Sequence, residues 1–194
     1  VLLYDYVDVR VPMLEQQYCR RLRSYAALAY TVRGAVAKPD ADEHTAQKEA
    51  AIFVRYEQFL PRFSEDLKAS AREILLCVPS LSARSVQRMI PLLQRVQHQG
   101  GNVQVYLPEP AQFRADIQPK IAANAAALQR AGIPVAFCPN HLPNFCVIDQ
   151  RLVWYGGLNP LGRMSTDESS LRMTSPGMAA ELVEFLRGMV PNRG

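Results

Sequence analysis

Between Glu73 and Pro139 the chain alternates short apolar runs with longer amphipathic ones, and this alternation limits the fold more than any other feature. The run "EILLCVP" is followed by "SARSVQRMIPLLQRVQHQ", which Gly100 and Gly101 stop. Next come "NVQVYLP", then "DIQPKIAANAAALQRA" stopped by Gly132, then "PVAFCP". Two successive strand-helix-strand units need a parallel sheet with helices packed on it. After Pro139 the rhythm changes. The stretch "FCVIDQRLVWYGG" predicts a hairpin, "ESSLRMTS" a further strand, and "PGMAAELVEFLRGM" a closing helix. Upstream, "IFVRYEQFLPRFSEDLKASA" reads as one helix running to about Ala71. No internal repeat and no low-complexity tract interrupts the pattern.

At 194 residues and 48% hydrophobic, the chain can bury one good core with an appendage. Residues 1–34 predict a short strand, "VLLYDYVDV", and a helix from about Pro12 through Tyr30 that carries Arg20, Arg21 and Arg23. The polar stretch "VAKPDADEHTAQKE" then marks a linker, which places a small strand-helix segment in residues 1–50 and an α/β domain in residues 51–194. The chain does not begin with methionine, which points to a piece of a longer protein. No apolar run approaches the roughly 20 residues needed to span a bilayer, and the opening residues lack the features of a signal peptide. Cys19, Cys77, Cys138 and Cys146 are scattered, mostly in strand-like runs, as buried thiols of a reducing compartment are; the cytoplasm is the expected location. A net charge of +4 permits an anionic partner.

The stretch "FCVIDQRLVWYGGLNPLG" carries the chemistry. Read bottom-up, Asp149-Gln150-Arg151 is a hairpin turn and Gly156-Gly157 a loop. Asp149 is then a residue that bonds its own backbone, Glu168 a solvated carboxylate, and Trp154-Tyr155 core packing at a strand end. Cys138, His141 and Cys146 stand at a spacing that invites a zinc reading, but both cysteines occupy core strand positions and no fourth ligand is adjacent. No metal is expected.

The strand-helix alternation followed by a hairpin bearing D-x6-G-G-x-N resembles the phospholipase D superfamily, whose members carry H-x-K-x4-D-x6-G-S-x-N on a mixed sheet. Asp149, Gly156, Gly157 in the serine position and Asn159 match the second half, and Glu168 falls where many members keep an acid or amide. In that family the histidine attacks phosphorus while the lysine, asparagine and hydroxyl hold the phosphoryl oxygens. Here the histidine position holds Leu142 and the lysine position Asn144, while His141 lies one residue early and is expected to face away. The family also uses two such motifs facing each other, and this chain has one. Separately, "LLYDYVDVRVPMLEQQYCRRLRSYAALAY" resembles the end of the second motor lobe of superfamily II, DEAD/DEAH-like helicases that carry a phospholipase D-like domain at their C-terminus. The chain contains no G-x4-G-K-[ST] and no DEAD/DEAH box.

The resemblance implies a phospholipase D-like mixed sheet flanked by helices, acting as a catalytically degenerate accessory domain that binds nucleic acid, DNA first, by its backbone phosphates. Asn144, Asn159, Gly157, Glu168 and Asp149 are the expected phosphate-facing residues, with Asn144, Asn159 and Glu168 gathered at one end of the hairpin. Arg163 and Arg172 are the expected cations. No cofactor is implied, the partners are nucleic acid and motor domains of the same parent chain, and no membrane is involved. Two alternatives stand beside this reading: a homodimeric phosphodiesterase that recruits His141 as nucleophile, and a domain that only docks or dimerises through its motif face.

Overall fold

In the computed structural model, residues 51–70 and 72–189 are described. The strand-helix segment and arginine cluster expected in residues 1–50 lie outside them. Seven strands form one mixed sheet in the order β1-β7-β6-β5-β2-β3-β4. Their bounds are β1 Ala51–Arg55, β2 Glu73–Cys77, β3 Asn102–Pro108, β4 Val135–Cys138, β5 Phe145–Ile148, β6 Leu152–Gly156 and β7 Ser169–Thr174. Four α-helices accompany them: α1 Tyr56–Ala69, α2 Ala83–His98, α3 Gln118–Arg130 and α4 Pro176–Met189. The expected α/β architecture, a mixed sheet flanked by helices, is the one found.

The pairing follows the chemistry of each segment. β2, β3 and β4 run parallel, joined through α2 and α3. β5 pairs antiparallel with β2 and, through a tight turn, antiparallel with β6, which pairs antiparallel with β7. Gly100 and Gly132 stop α2 and α3 with φ of 87° and 78°, in the left-handed region that glycine enters without a Cβ penalty. Central strands are covered on both faces, so β5 is buried at every position rather than alternating.

The sheet separates two cores. On one face, Ile74, Leu76, Val103, Val105, Cys146, Ile148 and Trp154 meet Phe59, Phe63 and Leu67 of α1, Val86, Met89, Leu93 and Val96 of α2, and Ile121 and Leu128 of α3. On the other, Leu75, Cys77, Cys138, Leu142, Phe145, Val147 and Val153 pack with Ala179, Leu182 and Leu186 of α4. Helices α1 to α3 and helix α4 therefore sandwich the sheet.

One segment differs from the sequence reading. Ile52–Arg55, expected as the start of α1, is strand β1 at the sheet edge beside β7. Its apolar, partly β-branched side chains suit a strand, and the helix starts only at Tyr56, where Phe59, Phe63 and Leu67 recur at every fourth position.

Candidate functional site

The β5-β6 hairpin turns at Asp149 and Gln150, both with positive φ (52° and 53°), where the Arg151 N–H donates to the Ile148 carbonyl (3.2 Å); with Ile148 paired to Leu152, Arg151 is the third residue of the loop. Asp149 is anchored there. Its Oδ1 accepts from Ser70 Oγ (3.0 Å), the Arg72 N–H (2.9 Å) and the Glu73 N–H (3.0 Å), so the carboxylate ties the turn to the start of β2. At about 3.3 Å per residue, the extended chain of β5 sets Asp149 roughly 16 Å from Asn144, at the opposite end of the hairpin. Asp149 thus does not share a pocket with the other motif positions, and its part is that of the turn residue.

The other end of the hairpin holds the remaining motif positions, each fixed by bonds inside the protein. Asn144 Nδ2 donates to the Gly156 carbonyl (2.7 Å), and the Gly156 N–H returns a bond to the Asn144 carbonyl (3.2 Å). Asn144 Oδ1 is buried without a partner. It borders a cavity of about 10 Å³ lined by Phe59, Phe63, Cys146, Trp154, Pro160 and Ser170, among others. That volume is room for a single water at most, far too small for a phosphoryl group. Gly156 has φ of 146°, and a Cβ there would stand 2.7 Å from the Ser169 carbonyl oxygen, so only glycine lets β6 close against β7 at this point.

Asn159 is turned elsewhere. It is 3% exposed. Its Nδ2 donates to the Ser80 carbonyl (2.9 Å) and its Oδ1 accepts from the N–H groups of Leu161 (3.0 Å) and Gly162 (2.9 Å). A Cβ at Gly162 would collide with the Asn159 side chain, so this glycine is what lets the loop wrap the amide. The same loop is bolted to α2, where Ser85 Oγ (2.6 Å) and Ser82 Oγ (3.3 Å) both donate to the Gly162 carbonyl. Asn144 and Asn159 consequently do not line one cavity. Asn159→Ala should cost about 2–3 kcal/mol of stability, because the Ser80 carbonyl and the Leu161 N–H lose their partner and the Gly162 N–H keeps only the longer bond to the Asn159 backbone carbonyl. A urea-unfolding midpoint that stays at the wild-type value would contradict this role.

Glu168 lies over Gly157, where an added Cβ would meet its Cβ and Cγ at 3.2 Å each, and its Oε2 accepts from the Ser165 N–H (2.9 Å). Leu142 is 5% exposed and packs in the core on the α4 side, away from the Asn144 cavity under α1. Proline at 139 and 143 holds residues 139–144 out of strand geometry, so the two-residue alternation that would aim positions 142 and 144 the same way does not apply there. His141 is exposed and does not line the Asn144 cavity. Cys138 and Cys146 belong to cores on opposite faces of the sheet, which removes the spacing-based zinc reading; burial pushes both thiols up.

The two expected cations have different settings. Arg163 is exposed directly after Gly162. Arg172 on β7 instead grips Asp66 of α1 through two bonds of 2.8 Å, and Trp154 Nε1 donates to the same carboxylate (2.8 Å). The hydrogen bond to Asp66 holds the Arg172 guanidinium above its usual range. Arg172 is therefore a structural cation, locked to its carboxylate. Sequence reading missed Asp66, Ser82 and Ser85. Of these, Ser82 alone had a local signal, as the N-cap residue before an amphipathic run.

Comparison with known proteins defines the fold. Neither a family sequence profile nor a curated protein sequence matches the chain. Among solved structures, it resembles Nuc from Salmonella typhimurium, a phospholipase D family member, at 16% identity with a TM-score of 0.58 over 73% of this chain and 94% of that one. It also resembles phosphatidylserine synthase from Haemophilus influenzae at 14% identity and a TM-score of 0.52, covering 73% of this chain and 38% of that one. TrmBL2, an archaeal chromatin protein described with a novel mode of DNA binding, aligns at 13% identity and a TM-score of 0.51, covering 91% of this chain and 61% of that protein. The fold is phospholipase D-like. Among the described residues, no helix is long and apolar enough to cross a membrane.

Proposed function

We propose that this chain is a nucleic-acid-binding, non-hydrolysing phospholipase D-like domain, the accessory module of a cytoplasmic helicase-like protein whose motor domains precede it. One observation carries the reading: the motif positions are built into the fold rather than presented to a ligand. Leu142 is a core residue, Asn144 is tied to Gly156, and Asn159 is consumed by Ser80, Leu161 and Gly162. A site without an imidazole lacks the nucleophile that attacks phosphorus, and an amide already bonded inside the fold is not free to hold the phosphoryl oxygens. What remains suited to a phosphodiester is charge. Residues 1–50 hold as many carboxylates as Lys and Arg, so the whole excess of four positive charges falls on residues 51–194. The likeness to a chromatin protein described with a mode of DNA binding supports nucleic acid as the ligand. Helicase parentage rests on the resemblance of the first 34 residues.

Fluorescence anisotropy of a labelled oligonucleotide against salt tests this reading. Each phosphate neutralised adds about 0.9 (duplex) or 0.7 (single strand) to the slope of log affinity against log salt. Arg163→Ala should flatten the slope by about one such unit. Arg172→Ala should leave it unchanged and instead lower stability by about 1–3 kcal/mol, since Asp66 loses its guanidinium partner and keeps only the Trp154 N–H. The opposite assignment, with Arg172 on the slope and Arg163 silent, would overturn this division.

A further inference from the structure

Helix α2 presents a row of arginines that the motif residues do not account for. Its inward face, Val86, Met89, Leu93 and Val96, is buried in the core. Its outward face carries Arg84, Gln87, Arg88, Pro91, Arg95 and His98, all exposed. At 100° per residue, Arg84, Arg88 and Arg95 fall within about 40° of one another around the helix axis, and at 1.5 Å per residue the row spans roughly 16 Å. No Asp or Glu occurs between Glu73 and Glu109, and α3, which packs beside α2, contains none either. Among the described residues none of the three arginines has a salt-bridge partner, whereas Arg114, Arg172 and Arg187 each do. Arg88 makes a single 3.5 Å bond to Ser85 Oγ, the hydroxyl that also holds the Gly162 carbonyl. Arg163, the next residue, therefore leaves its loop at the first turn of α2 and extends the row at that end.

We infer that the outer face of α2 is a track for a phosphodiester backbone, with Arg84, Arg88 and Arg95 as phosphate contacts and Arg163 at its head. This rests on the nucleic-acid reading above and moves the principal contact surface from the motif loop to the helix. An unpaired row of like charges is self-repelling, so it gains from a ligand whose own charges repeat along a line. Guanidinium groups suit phosphate oxygens in bidentate geometry, and Gln87 adds a neutral donor. A membrane surface fits less well. A helix lying in a bilayer interface needs an exposed apolar face, and the apolar face of α2 is spent on the core.

The test uses the full 194-residue chain with labelled single-stranded and duplex oligonucleotides. Arg84→Ala, Arg88→Ala and Arg95→Ala together should flatten the salt slope by up to about 2.7 for duplex and about 2.1 for single strands, with affinity near 0.1 M salt falling about 10- to 500-fold. At matched salt, the form that the wild type binds more tightly is the ligand, since the two slopes differ by the charge density of the strands alone. These side chains are exposed, so the thermal unfolding curve should be unchanged. The corresponding triple Arg→Lys variant, which keeps the charge, should retain the slope, and Arg187→Ala, on α4 across the sheet, should leave slope and affinity alone. If the wild type binds and the triple alanine variant keeps its slope, the track is wrong while the nucleic-acid reading stands. If the wild type binds neither oligonucleotide, that reading fails and takes the track with it. Wild-type protein that sediments with phosphatidylserine vesicles but ignores oligonucleotides would overturn both in favour of a membrane surface.

Discussion

Replacing Trp154 by alanine should lower the unfolding free energy by about 3–5 kcal/mol, the range for emptying a large aromatic site in a packed core. Against a typical domain stability of about 5–15 kcal/mol, that is enough to bring the fold near its limit. Trp154 is 2% exposed and stands edge-on to Phe59 (5.2 Å, 87°) and Phe63 (5.5 Å, 81°), which stack on each other. Its Nε1 is also one of the donors that fix Asp66, and Asp66 in turn holds Arg172 across from α1 to β7. One substitution thus opens a cavity and weakens the link that pins α1 to the sheet. Trp154→Phe keeps a ring in place but loses the N–H, so a smaller cost of about 1–2 kcal/mol is expected. Trp154 is the only tryptophan in the chain, so urea unfolding of these variants is followed by circular dichroism. A loss below about 1 kcal/mol for the alanine variant would mean that α1 does not depend on this cluster.

The second large effect is a missing activity that two substitutions should fail to supply. Wild-type protein should show no phosphodiester cleavage in EDTA. Losing one donor to a developing oxyanion alone costs about a hundredfold to a thousandfold, and positions 142 and 144 hold a leucine and an asparagine, neither a nucleophile nor a cation. Leu142→His with Asn144→Lys writes the family pattern back into the sequence, yet it should not restore cleavage. Position 142 sits in the α4-side core with Leu75, Cys138 and Phe145, whereas position 144 opens on the cavity beneath α1. The new imidazole would be buried among apolar side chains, where its charged form is disfavoured. The double variant should therefore be destabilised and inactive. Cleavage by it, or by wild-type protein in a manner abolished by His141→Ala, would show that the segment before β5 rearranges into an active alignment.

The parts of this fold that were legible in the sequence are those set by local pattern. The strand-helix alternation from Glu73 to Cys138 announces itself through apolar period and glycine stops, and the hairpin through the polar turn at Asp149 and Gln150. What was not legible depends on partners far along the chain. Ile52–Arg55 has the composition of either a helix start or an edge strand, and only its place beside β7 decides. Arg172 looks like a free cation until Asp66, 106 residues away, is brought to it, and Asn159 looks like a phosphate donor until Ser80, 79 residues away, takes its amide. A motif spacing fixes which residues stand where on a hairpin, but not whether their polar atoms are already engaged. The arginine row on α2 is the converse case. Its 4-and-7 spacing and the acid-free stretch around it are present in the sequence, though it resembles an ordinary solvated face until the inward side of the helix is seen to be wholly core.

The most direct test of the proposal that this domain holds nucleic acid without cutting it is to follow binding and cleavage in one sample. The full chain is incubated with a 5′-labelled single-stranded oligonucleotide in EDTA, read by anisotropy as salt is raised from about 50 to 200 mM, and then resolved on a denaturing gel. The expected result is a complex at low salt that dissociates steeply as salt rises, with the oligonucleotide recovered intact throughout. Absence of binding at the lowest salt would contradict the account, and so would a labelled fragment that accumulates with time and disappears in His141→Ala.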